Sequence, residues 1–252
     1  MVVILIGASI FADVLHKLQD RGARVFHIFI PSIQALLGSR YLIEQRVNKI
    51  SKHHAPLPCV IVAQIPGNSI FPANVQSKGH AHNKYRAPIL ETAQTFINIC
   101  MALTFQTRVK ILVIPPLPRL LNTVCKCTEA IKYDDGLKEL RDIEHYVHGK
   151  LVGVQDMSLI TTRQVFEKIF CNSKIYTELY KNNDVEPKTR LKRCATKDAI
   201  IRRICSKYLL VNDMTHLTNL GGEVYAEAVL QSAVDLHKSC SDTGHSGKLP
   251  EK

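Results

Sequence analysis

Val2-Val3-Ile4-Leu5-Ile6-Gly7-Ala8-Ser9 opens the chain with an unbroken apolar run that ends in two small residues and a serine. A run this short, rich in β-branched residues, suits a strand buried on both faces. From Ser9 the spacing becomes helical, with Ile10, Val14, Leu15 and Leu18 sharing one face through residue 19. The reading is strand, tight turn, helix. Gly22 suits the end of that helix, and residues 24–30, Arg-Val-Phe-His-Ile-Phe-Ile, predict a second strand.

The unit then repeats. Helical spacing over 32–50 is followed by a strand at 59–65, a long helix over 84–104, and a strand at 109–114 closed by Pro115 and Pro116. A helix over 135–150 and a fifth strand at 151–154 complete the series. Apolar strands separated by helices predict a parallel sheet covered on both faces, a three-layer α/β sandwich. Residues 161–207 break the rhythm and read as a helical, basic insertion before a closing helix at 220–237. The expected division is one domain over 1–238 and a flexible tail over 239–252, which is rich in Ser, Gly, Asp and Lys.

Composition agrees with one globular unit: 252 residues, 46% hydrophobic and 22% charged. No apolar run approaches the ~18 residues of a membrane-spanning helix, so no membrane span is expected. No basic leader or cleavage pattern precedes the first strand, and the expected location is cytoplasmic or otherwise intracellular unless the chain is an excised domain. The eight cysteines are scattered and read as reduced, mostly structural thiols. Cys125-Lys126-Cys127 has neither redox nor zinc-ligand spacing. His80 and His82, in a Gly- and Lys-rich loop, read as solvated, so neither metal nor cofactor is expected. The net charge is +11, and +6 of it falls within residues 181–207. Such a concentration makes Arg190, Lys192, Arg193, Arg202 and Arg203 candidates for binding nucleic acid or another polyanion. A solvated basic face is the plain alternative.

In parallel α/β sheets, ligands bind beyond the carboxyl ends of the strands. Three loops there carry chemistry. Ser9, at a strand-to-helix turn, is either a helix cap or a nucleophile. Asp213-Met214-Thr215-His216 precedes the last helix with a spacing that lets a carboxylate orient an imidazole base. Pro66-Gly67-Asn68-Ser69 follows the third strand, where the Asn68 amide can donate to an oxyanion alongside the Ser9 N–H.

This order resembles the SGNH hydrolase superfamily, the GDSL-type esterases, whose blocks are Gly-Asp-Ser after strand one, Gly after strand two, Gly-x-Asn after strand three, and Asp-x-x-His near the C-terminus. The resemblance spans nearly the whole chain and extends to Leu217-Thr-Asn-Leu-Gly-Gly-Glu-Val-Tyr225 after the histidine. It implies a flavodoxin-like α/β/α fold with a five-stranded parallel sheet. It also implies a Ser-His-Asp triad of Ser9, His216 and Asp213, an oxyanion hole from Ser9, Ser32 and Asn68, and an acyl ester as substrate. Three block residues depart from the pattern. Ala8 replaces the Asp of Gly-Asp-Ser, Ser32 the second-block glycine, and Pro66 the glycine before Asn68. If the backbone at position 32 required a positive φ, serine there would cost about 1 kcal/mol or more, and Pro66 lacks an N–H. These departures motivate the second reading, an impaired SGNH-like module that binds polyanions through its insertion.

Overall fold

In the computed structural model, residues 1–67, 81–116, 133–161, 164 and 217–238 are described, with the main chain alone for 81–89 and 133–141. Among the described residues, ten elements alternate in order: β1 (Val2–Gly7), α1 (Ile10–Asp20), β2 (Arg24–Phe29), α2 (Ile33–His53), β3 (Cys59–Gln64), α3 (Ala81–Thr107), β4 (Lys110–Ile114), α4 (Tyr133–Leu151), β5 (Met157–Leu159) and α5 (Asn219–Lys238). The strands form one parallel sheet in the order β2-β1-β3-β4-β5. Strand order and helix placement together make the flavodoxin-like three-layer sandwich.

Alternation along each strand divides the core. Val3, Leu5, Val60, Val62 and Leu112 pack beneath α1 and α5 on one face. Val2, Ile4, Ile6, Ile61 and Ile111 pack beneath α2, α3 and α4 on the other. Successive side chains of a strand point to opposite faces, so a continuous apolar run is what two covered faces require. β1, β3 and β4 meet that requirement. β2 does not, because it is an edge strand: Arg24 and Phe29 are exposed and His27 is half-buried.

The fifth strand lies elsewhere than expected. Residues 151–154 end α4 instead. Val152 N donates to His148 O (3.2 Å), and Gly153 adopts φ +80°, the left-handed conformation that terminates helices. Leu151 is buried as a helix residue, whereas Val152 is 70% exposed. The ladder resumes at Met157–Leu159, with Ile111 N donating to Asp156 O (2.9 Å) and Ile160 N to Val113 O (3.0 Å). A short apolar cluster is compatible with either element, and the glycine decided this one.

Gly22 ends α1 with φ +81°, as its position suggested. Lys110 Nζ donates to the carbonyls of Leu236 (2.8 Å) and His237 (3.1 Å), a cation on the last carbonyls of α5. Cys59 and Cys100 are free thiols, and burial pushes Cys59 up to about 11 and Cys100 further still. Both pack as small apolar side chains in the core face beneath α2, α3 and α4. The other six cysteines, the basic insertion apart from residues 161 and 164, and the tail lie outside the described residues. Among the described residues no helix is long and apolar enough to cross a membrane.

Candidate functional site

The sheet order places β1 between β2 and β3, and the helices that follow β1 and β3, α1 and α3, lie on opposite faces of the sheet. This reversal is the topological switch point, where loops diverge and open a crevice. Ser9 stands there, two residues beyond Gly7. The register pairs Gly7 with Phe29 on one side, and Ile6 with Ala63 on the other. The turn after β2 carrying Ser32 and the turn after β3 carrying Pro66 and Gly67 therefore flank Ser9 along one edge.

The β1–α1 turn is sterically exacting. A Cβ on Gly7 would lie 2.8 Å from Phe11 Cε2 and 3.1 Å from Gln64 Cβ, so the strand exit needs glycine. The Gly7 carbonyl accepts from Ile30 N (2.8 Å) and from His27 Nε2 (3.3 Å). Burial lowers the His27 pKa, the Gly7 hydrogen bond opposes that shift, and Arg46 adds to it. A neutral Nε2–H tautomer fits this environment. His27 also meets Phe11 and Phe29 edge-on.

Ser9 is exposed and has helical φ,ψ of −55°, −25°. Its side chain makes no capping hydrogen bond to α1. A capping side chain needs an extended backbone to fold back onto the free N–H groups, and Ser9 lacks one. Ser32 has the extended backbone, φ −153° and ψ 167°, and its Oγ accepts from Ala35 N (3.2 Å). With φ negative and extended, serine at position 32 carries none of the strain that a left-handed backbone would have imposed there. Pro66 is buried, and the preceding Ile65 N donates to Ile114 O (3.0 Å).

Asn68, Asp213 and His216 lie outside the described residues, as do Arg190, Lys192, Arg193, Arg202 and Arg203. The described chain resumes at Leu217, whose N donates to Asp13 Oδ2 on α1 (3.0 Å). Thr218 then starts α5, its Oγ1 accepting from Gly221 N (3.0 Å) and its carbonyl from Gly222 N (2.8 Å). The residue that follows His216 is thus tied to the helix that follows Ser9.

Three residues at this edge were not singled out from sequence. Gln64 is 4% exposed and closes the otherwise apolar β3. Tyr225 of α5 is fully buried, and its Oη faces Gln64 outside hydrogen-bonding geometry. Burial raises the Tyr225 phenol and keeps it protonated. Asp13 is the third. A polar residue ending an apolar strand, and an acid in the first turn of a helix, are visible signals, but neither names its partner. Among the described residues no three His, Cys, Asp or Glu side chains gather as metal ligands. His54 instead sits 3.2 Å from Arg24 Nη1 through Nδ1 and packs at a tilt against Phe26.

Together, this edge presents an exposed serine hydroxyl at a helix N-terminus, where the helix dipole favours developing negative charge. Compared with known proteins, the chain matches no family model and no curated protein sequence.

Proposed function

We propose that this chain is a serine acyl-ester hydrolase. The observation that carries the reading is Ser9: an exposed hydroxyl at the switch point, on a backbone that does not let it cap its own helix. Ser9 Oγ attacks the ester carbonyl carbon while His216, oriented by Asp213, takes its proton. The Ser9 N–H, the Ser32 N–H and the Asn68 amide hold the oxyanion. Collapse expels the alcohol, protonated by His216, and leaves an acyl group on Ser9. Water, deprotonated by His216, then releases the carboxylic acid and restores the hydroxyl.

A fluorophosphonate probe tests the reading without knowledge of the substrate, because phosphonylation requires only an activated serine. Wild type is expected to label, with label lost in Ser9→Ala and His216→Ala. Folded wild type that stays unlabelled would remove the hydrolase reading. The polyanion-binding reading would then be taken up through the salt dependence of binding and charge reversal at Arg190, Lys192, Arg193, Arg202 and Arg203.

A further inference from the structure

Helix α1 and its C-cap carry three charged side chains at four-residue spacing, Asp13, Lys17 and Arg21, and all three reach the start of α5. Asp13 Oδ2 accepts from Leu217 N at 3.0 Å. Lys17 Nζ meets Glu223 Oε1 at 2.9 Å, and Arg21 Nη2 meets Glu223 Oε2 at 2.6 Å. Residues four apart lie on one face of a helix, so the three form a single row. The backbones also approach closely: a Cβ on Gly222 would stand 3.0 Å from the Asp13 carbonyl oxygen.

The three contacts differ in what they hold. Glu223 and its two cations join the bodies of α1 and α5, so helix docking has support that does not involve Asp13. Thr218 receives the Gly221 and Gly222 N–H groups. Leu217 precedes that cap and is itself buried, and a carboxylate on the other helix receives its N–H. A charged acceptor makes this a strong tether. Asp13 stands four residues after Ser9 on the same helix, about 6 Å along the axis at ~1.5 Å per residue.

We propose that Asp13 is a positioning residue: by holding the Leu217 N–H, it sets where the chain leaving His216 lies relative to Ser9. This rests on the hydrolase reading, in which His216 serves Ser9. The role is not interchangeable with that of Glu223, which acts further along both helices.

The experiment compares the full-length wild type with Asp13→Ala, Asp13→Asn, Asp13→Glu and Glu223→Gln. It measures the fluorophosphonate labelling rate of Ser9 across pH, and hydrogen exchange of the Leu217 amide. Asp13→Ala is expected to label at least tenfold more slowly, with its pH–rate midpoint displaced, and to exchange the Leu217 amide at least tenfold faster while amides of residues 226–236 keep their protection. Asp13→Asn keeps an acceptor oxygen and recovers most of the rate. Glu223→Gln stays within twofold of wild type. Asp13→Glu, which retains the charge but moves the acceptor by one methylene, slows labelling and gives the same test on a smaller perturbation. Wild-type labelling that Asp13→Ala and Asp13→Glu leave unchanged would overturn the inference alone. Equal losses in Asp13→Ala and Glu223→Gln would also overturn it, by making both merely helix-docking contacts. Unlabelled wild type would overturn the hydrolase reading, and with it any catalytic positioning, even where Leu217 exchange responds to Asp13.

Discussion

The turns after β1 and β2 are built from similar parts and do different things. Each leaves a parallel strand, crosses a short linker and enters a helix at a serine. Ser32 sits on an extended backbone and spends its hydroxyl on Ala35 N, whereas Ser9 sits on a helical backbone and makes no such cap. The difference starts at Gly7. Its missing side chain lets Phe11 and Gln64 close over the strand end, and its carbonyl is held from two sides. A serine at a helix start is therefore not by itself evidence of a cap or of a nucleophile. The backbone conformation separates the two.

The largest effect separating the turns is expected from Ser9→Ala, which should reduce fluorophosphonate labelling and ester turnover by about a thousandfold or more. Because no cap is lost, chemical denaturation should place its stability within about 0.5 kcal/mol of wild type. A Ser9→Ala protein that loses a cap's worth of stability would erase the distinction.

Gly7→Ala should follow, destabilising by about 1–3 kcal/mol, since the added methyl overlaps the fully buried Phe11 ring, which must shift to admit it. Thermal or urea unfolding of this variant checks it, and wild-type stability would show that the turn is looser than its contacts imply.

Ser32→Ala should cost about 1 kcal/mol, the ordinary value of a helix N-cap, while Ser9 still labels. Loss of labelling at unchanged stability would exchange the roles of the two serines.

The smallest effect concerns His27, which joins the turns by donating to Gly7 O. Its pKa is lowered in the folded protein, first by burial. The neutral form is the one the fold favours, so its contribution is present above the unfolded imidazole value of ~6.5 and is lost as pH falls through the folded value. Unfolding curves between about pH 7.5 and 5 should show this acid loss in wild type and less of it in His27→Gln, which keeps an N–H donor. Identical pH dependence in the two proteins would remove His27 from the account of the turn.

Much of the architecture is legible in the sequence. Val2 to Gly7, Cys59 to Gln64 and Lys110 to Ile114 are buried strands because their apolar runs are short and uninterrupted, and the α1 and α2 patterns have helical period. The fifth strand was misplaced because Leu151 and Val154 are as apolar as a strand requires. The chain direction there is set by a left-handed Gly153 that composition alone does not reveal. Of the candidate site, Ser9 and Ser32 could be named from sequence, but whether Ser9 caps its own helix could not, because that turns on the backbone rotation of a single residue.

By itself, the amino-acid sequence determined the alternation of strand and helix, the two-faced burial of the sheet, and that the turns carrying Ser9 and Ser32 leave the carboxyl ends of their strands. These follow from hydrophobic period and local turn chemistry, which act over a few residues. Only the tertiary structure decided that Asp13 meets Leu217 across 204 residues of chain, that Gln64 and Tyr225 are buried against each other, and that Ser32 caps while Ser9 does not. Those outcomes depend on which helix lies beside which strand, and on how closely Gly7 and Gly222 let them approach.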